Sequence, residues 1–271
     1  MNKVKISVIM SAYNSESTIV EAVNSILEQT YQDFEFIICD DCSTDGTYKI
    51  LLEYQKQFPE KIVLIKNKIN SKLAFSLNHC LQYSKGKYVA RMDADDISCS
   101  ERLEKQILFL LSHSEYDLVG TSMLPFDNKG EYAPIQKKEI PNKFDLVTGP
   151  CFNHATVLVK KSVYDALGGY LVLKRTTRGQ DHDLWFRFFK SDFRGYNMHE
   201  PLYKVRERFE DMRRRNFKSS LYAVQTRLVG YKLLKYSIHY YIYAFKPIIV
   251  GLIPKRIMFS YHRWCFMKKQ K

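Results

Sequence analysis

Four short clusters in this 271-residue chain carry side chains with chemistry to offer. Asp93-Ala94-Asp95 follows an apolar run, KYVARM. In an extended segment alternate residues point the same way, so both carboxylates can reach one ligand. Hard divalent cations take carboxylate oxygens, and magnesium or manganese commonly bridges a protein carboxylate and substrate phosphates. A calcium EF-hand is excluded, because Ile97 and Ser98 stand where that loop needs a ligand and a glycine. An acid-rich turn with Asp96 or Ser98 capping the next helix is the alternative. Gln180-Asp181-His182-Asp183-Leu184-Trp185 offers either a general base or acids capping a helix start. Ser11-Ala12-Tyr13-Asn14 and Asp40-Asp41 could hold a nucleobase, with Tyr13 stacking and a carboxylate accepting an imide N–H. Equally, they could be an ordinary helix-leading turn and an Asx turn.

These clusters need elements to position them. The pattern predicts strands over 4–10, 34–39, 62–65, 87–92 and 117–123. Helices are expected over about 16–29, with Ser15 as cap, and over 45–57, 71–84 and 100–113. Alternating strands and helices imply a mainly parallel, Rossmann-like sheet wound on both faces, with ligands at the carboxyl ends of the strands. The clusters at Ser11–Asn14, Asp40–Asp45 and Asp93–Asp96 all fall there. Pro125, Pro134, Pro141 and Pro150 mark loops crossing to a second half, and Gly168-Gly169 should end a helix.

Taken together, the segments SVIMSAYN (7–14), SILEQTY (25–31), Phe34-Glu35 and DDCSTDGT (40–47), followed by the Asp93–Asp96 cluster, resemble the family-2 glycosyltransferases over about 1–210. The resemblance implies a GT-A fold of the α/β class and inverting transfer from a nucleotide-sugar with Mn2+ or Mg2+. It implies that Ser11, Ala12 and Tyr13 hold the base, that Asp41 reads it, and that Asp93 and Ala94 lie against the ribose. Asp95, with Asp93, would ligand the metal. Asp181 would be the base, within a segment like the family's Glu-Asp-x-Asp-x-Trp, although Gln180 replaces the glutamate. Two further departures are Cys42, where glycine or asparagine is usual, and Ser76-Leu77-Asn78, where Ala-Arg-Asn is commoner. The second leaves Lys72 as a substitute cation. Asp183 should support local structure. Trp185 would pack in the core or flank the acceptor, and His154 lies at an acceptor-side loop position.

Charge divides the chain. Residues 202–271 hold 17 Lys or Arg against three Asp or Glu, while the remainder is nearly neutral in a chain of net charge +13. The six cysteines have irregular spacing and read as free thiols; Cys39 and Cys42 lack the second ligand pair a zinc site needs. No signal peptide is expected from the short run Ile6–Met10, so a cytoplasmic catalytic part is expected. The chain thus reads as a GT-A domain over 1–210, with a nucleotide half (1–100) and an acceptor half (101–210), and a helical basic segment over 211–271. Aromatic and apolar residues mixed with cations over 236–271 suit a membrane interface, packing on the domain, or nucleic acid. The reading taken is a peripheral membrane surface and no nucleic acid. The expected reaction is transfer from a UDP-sugar to a glycan acceptor, expected to be lipid-linked, in bacterial surface polysaccharide synthesis. The alternatives are a polyprenyl-phosphate sugar synthase and a non-catalytic nucleotide-binding, membrane-docking module.

Overall fold

The structure is a computed structural model that describes residues 5–207 and 217–253. Strands β1 (Ile6–Ala12), β2 (Phe34–Asp40), β3 (Ile62–Lys66) and β4 (Tyr88–Asp93) alternate with helices α1 (Ile19–Leu27), α2 (Thr47–Gln57) and α3 (Leu73–Tyr83). The apolar residues of β1, β2 and β4 are buried, as expected of parallel strands covered on both faces. Next come β5 (Ile97–Ser98), α4 (Arg102–Ser112), β6 (Leu118–Asp127), β7 (Gly130–Glu131), β8 (Leu158–Lys160), α5 (Lys161–Leu167), α6 (Gln180–Lys190) and β9 (Gly195–Arg206). Helices α7 (Phe217–Leu233) and α8 (Lys246–Leu252) follow, joined through a 3-10 segment at Ile238–Phe245.

All nine strands form one sheet, in the order β3-β2-β1-β4-β8-β6-β9-β5, with β7 on β6. The β3-β2-β1-β4 part is parallel. Past it, β8 is antiparallel to β4 and β6, and β9 runs parallel to β6. Strand alternation then sorts the core. Ile6, Val8, Met10, Phe36, Ile38, Ala90 and Met92 pack with α1 and α4 on one face. Ile9, Ile37 and Val89 pack with α3, α5, α6 and α7 on the other.

The expected elements are present with small shifts at their ends. Helix α1 begins at Ile19, and Ser15 does not cap it: its hydroxyl donates to the Tyr13 carbonyl. Neither Asp96 nor Ser98 caps α4, because Ser98 Oγ accepts from Gln29 while Asp96 accepts the Arg206 N–H. Gly168 does end α5, at φ +66°, a conformation glycine adopts freely.

Helix α7 is part of the same core. Gly230 lies so close to α6 that a Cβ there would meet the buried Phe186 ring at 2.2 Å. Tyr231 Oη donates to the Val147 carbonyl at 2.7 Å, and Arg227 donates to Val147, Thr148 and Tyr243 carbonyls. Tyr236 and Ala244 are buried, whereas Ile238, Ile242, Ile249 and Leu252 are 65–81% exposed. The cations from Lys255 onward lie outside the described residues. Among the described residues no helix is long and apolar enough to cross a membrane.

Candidate active site

The register of the parallel strands gathers the clusters on one edge. Ser11 stands opposite Asp93 across β1 and β4, and Ala12 opposite Asp40 across β1 and β2. Side-chain hydrogen bonds clip the β1 and β2 loops together. Asn14 Oδ1 accepts from the Thr44 N–H at 2.9 Å, Ser43 Oγ from the Asn14 N–H at 3.1 Å, and Thr47 Oγ1 from the Ser15 N–H at 2.8 Å. Tyr13 stands out from this platform with its ring half exposed, as a stacking face requires, while Ala12 is buried beneath it.

Asp41 is almost completely buried, and its carboxylate is engaged. It accepts from Asn67 Nδ2, the Ser71 N–H and the Lys72 N–H, each at 2.8 Å. The Asn67 amide carbonyl faces His79 Nδ1 at 2.9 Å, so that ring carries its proton on Nδ1. The loop pays for this arrangement at Lys72, whose backbone sits at φ 72°, ψ 167°, a region essentially reserved for glycine. Among the described residues five non-glycine positions have positive φ. Three of them, Asn14, Cys42 and Lys72, belong to these three loops. Strain is therefore concentrated at the edge where a nucleotide would sit.

The Asp93–Asp96 turn is tied down from elements far away in the chain. The Asp93 N–H donates to Tyr203 Oη at 3.1 Å, and the same hydroxyl donates to Asp96. Arg206 donates its N–H to Asp96 at 2.8 Å and its Nε–H to the Asp95 carbonyl at 3.0 Å, and it pairs with Glu21 of α1. Thr18 Oγ1 donates to the Ala94 carbonyl at 3.1 Å. Burial, then the charges of Asp93 and Asp95, push Asp96 well above the usual carboxylate range. The two carboxylates left near the surface are Asp93 and Asp95. Arg91, beneath them, forms an ion pair with Asp93.

Among the described residues no group of three or more His, Cys, Asp or Glu could hold a metal ion. Two carboxylates at alternate positions are nevertheless a fitting partial set for magnesium or manganese, which take their remaining oxygens from a diphosphate and water.

Asp181 lies in the first turn of α6, partly buried. Burial raises its carboxyl above the ordinary value; hydrogen bonds from the His182 and Asp181 N–H groups, then Arg91 and Lys137, pull it back. Asp183 has the local role expected of it: it pairs with Arg175 at 2.7 Å and Arg187 at 2.9 Å, and Arg187 reaches on to the Leu167 and Gly169 carbonyls. Of the two roles open to Trp185, core packing is the one it has. At 1% exposed, it lies edge-on to Phe152 and His154, because α6 turns that face toward the sheet. His154 is likewise engaged inside: Nε2 meets Tyr170 Oη at 2.8 Å, which meets Tyr164 Oη at 3.1 Å. Burial, then Arg91, holds that imidazole well below the usual histidine range. Arg91, Tyr203, Arg206 and Asn67 escaped the sequence reading. The available signal was a cation at an apolar position of a strand for Arg91, and none for the others, whose contacts with Asp41, Asp93 and Asp95 span 26 to 111 residues.

Comparison with known proteins agrees with this geometry. The family model described as Glycosyl transferase family 2 matches residues 7–168. A relative called putative glycosyltransferase EpsE, from Bacillus subtilis (strain 168), is 43% identical over 98% of this chain and 96% of its own. The putative teichuronic acid biosynthesis glycosyltransferase TuaG of the same organism is 32% identical over 74% of this chain and 78% of its own. Among solved structures, S. aureus TarS 1-349 in complex with UDP-GlcNAc superposes with a TM-score of 0.64 at 20% identity, over 93% of this chain and 82% of that one. The mannosyltransferase PcManGT from Pyrobaculum calidifontis, in complex with GDP-Man and Mn2+, gives 0.65 at 16% identity over 95% and 79%. At such identities the two structures speak for a common fold.

Proposed function

This chain belongs to glycosyl transferase family 2 and is a glycosyltransferase with a GT-A fold, and on that premise we propose that it is an inverting enzyme that moves a sugar from a UDP-sugar to a lipid-linked glycan during bacterial surface polysaccharide synthesis. The observation that carries the reading is the register placing Ser11 opposite Asp93, which gives the tyrosine-bearing turn and the paired carboxylates one common edge. The names of the relatives, one of them tied to teichuronic acid synthesis, support the acceptor class.

In this reading Tyr13 stacks on the uracil, with Ser11 and Ala12 beneath, and Ala94 lies against the ribose. Asp41 reads the base while holding loop 67–72, and Lys72 reaches the diphosphate. Asp95 and Asp93 would hold Mn2+ or Mg2+, and such an ion would neutralise charge developing on the leaving diphosphate. The acceptor hydroxyl attacks the anomeric carbon as the bond to the diphosphate breaks, and Asp181 takes its proton. Its carboxylate is suited to this because Arg91 and Lys137 favour the ionised form against burial. The exposed Ile238, Ile242, Ile249 and Leu252 are the surface we assign to the cytoplasmic face of a membrane, where the acceptor lipid resides.

A panel of UDP- and GDP-sugars, assayed for nucleotide release with manganese and an undecaprenyl-diphosphate-linked acceptor, tests the proposal. UDP-sugars should be consumed only with both metal and acceptor present. In Asp95→Ala, metal-dependent UDP binding by calorimetry and transfer should both vanish while the circular dichroism spectrum is retained. Unchanged UDP affinity and turnover in that variant would remove Asp95 from the site.

A further inference from the structure

Arg91 is a cation in a strand whose neighbours are apolar. On β4 it shares a face with Val89 and Asp93 and is 2% exposed. Its ion-pair partner is Asp93 Oδ2, and its Nε has no hydrogen-bond partner. Around it stand His154, Tyr164, Tyr170 and Tyr203. A second buried arginine, Arg102, donates to the Arg91 carbonyl at 3.1 Å and adds like charge. Burying a guanidinium in such a place costs far more than burying valine. Fold alone does not call for it, since at the positions in register with Arg91 the neighbouring parallel strands carry Ile9 on β1 and Ile37 on β2.

We propose that Arg91 is a positioning residue that anchors one oxygen of Asp93, so that the metal ion is gripped by Asp95 and a single Asp93 oxygen, loosely enough for the nucleotide product to leave. The proposal rests on the donor-site reading above. A carboxylate free to rotate would turn both oxygens onto the cation, and a cation nearby lowers the affinity of the site for another. Tight retention of metal and UDP together would slow turnover, because product release limits many enzymes of this kind. On UDP binding Arg91 acts through Asp93; its charge also favours the ionised Asp181 carboxyl, which bears on turnover and not on UDP affinity.

The test is calorimetry of UDP binding, with and without Mn2+, alongside steady-state turnover. In Arg91→Met, UDP should bind about tenfold tighter with Mn2+ and unchanged without it, while kcat falls about tenfold and KM falls with it. In the double variant Arg91→Met/Asp93→Asn the tightening should disappear. Equal loss of UDP affinity with and without metal in Arg91→Met would mean a merely structural role and overturn the proposal, as would unchanged Mn2+-dependent affinity. Should the methionine variant fail to fold, Arg91→Lys decides: its ammonium is a mobile point charge on a flexible stem and holds the Asp93 oxygen less firmly than the planar guanidinium, so about threefold tightening with Mn2+ is expected, and none overturns the proposal. Wild-type protein that binds UDP with Mn2+ but transfers no sugar would sink the functional reading while leaving these binding comparisons readable.

Discussion

At the scale of single residues, the assigned carboxylates differ in what surrounds them, and their variants should differ accordingly. Asp181 belongs to a different element, α6, in a half-buried place where two cations, one of them the Arg91 that pairs with Asp93, oppose desolvation. Asp181→Asn should therefore reduce turnover about 10²-fold or more while UDP affinity stays within experimental error. A collapse of UDP binding in that variant, measured by calorimetry, would transfer Asp181 to the donor side. Lys72 makes the opposite case, in which stability and function pull apart. Its backbone conformation costs about 1–3 kcal/mol for a residue with a side chain, and glycine removes that strain while adding a smaller entropy cost in the unfolded chain. Lys72→Gly should raise the unfolding free energy by about 1 kcal/mol and weaken UDP-sugar binding. A drop in stability measured by urea titration would mean that Asp41 does not impose the strained geometry.

At the scale of elements, α6 and α7 meet more closely than ordinary side chains permit. Helix propensity alone says that alanine in place of Gly230 would stabilise α7 by about 0.5–1 kcal/mol. Contact says otherwise, because the new Cβ would fall on ring atoms of Phe186 next to its own backbone, where no rotamer change relieves it. Overpacking of this kind costs about 1–3 kcal/mol, so Gly230→Ala should lower the melting temperature. A raised melting temperature would show that α7 can slide away from α6. The same elements show what was legible in advance. Strands β1 to β4 and helices α1 to α4 were placed within a few residues because their apolar spacing is local and their turns hold Gly, Asn and Asp. Asp93 and Asp95 stand out as candidates because paired acids at a strand end are conspicuous, and Asp181 stands out through the Asp-x-Asp-x-Trp spacing of its segment. What escaped was non-local. No spacing rule predicts that Tyr203 and Arg206 will fasten a turn 110 residues earlier. Ser15 has the side chain of a cap, yet the α1 start is set by Thr18, whose hydroxyl is drawn to the Ala94 carbonyl.

At the scale of the whole molecule, the C-terminal segment has two faces. Tyr231, Tyr236 and Ala244 pack against the acceptor half, and Ile238, Ile242, Ile249 and Leu252 face outward. Packing on the domain and presentation of an apolar surface are thus compatible over 236–253. Vesicles containing anionic lipid should bind the full chain, and added salt should weaken but not abolish that binding, since each cation contributes about 1 kcal/mol at most while apolar burial supplies about 25 cal/mol per Å2 without screening. Replacing those four residues by serine should leave only the salt-sensitive component in a flotation assay. Equal binding at high salt by the quadruple variant would place the contact elsewhere.

The anchoring of the Asp93–Asp96 turn by β9 also bears on how the protein is made. Residues 6–93 contain strands β1 to β4 with helices α1, α2 and α3, and this contiguous stretch leaves the ribosome first. The turn itself gains its Tyr203 and Arg206 contacts only after translation has run a further 110 residues. The carbonyls of Val147 and Thr148 wait longer still for Arg227 and Tyr231. A nascent or prematurely terminated chain can therefore hold all four of these strands, with Thr18 already placed beside the turn, and still lack the Tyr203 and Arg206 tethers, so that the geometry of the paired carboxylates is completed only late in synthesis.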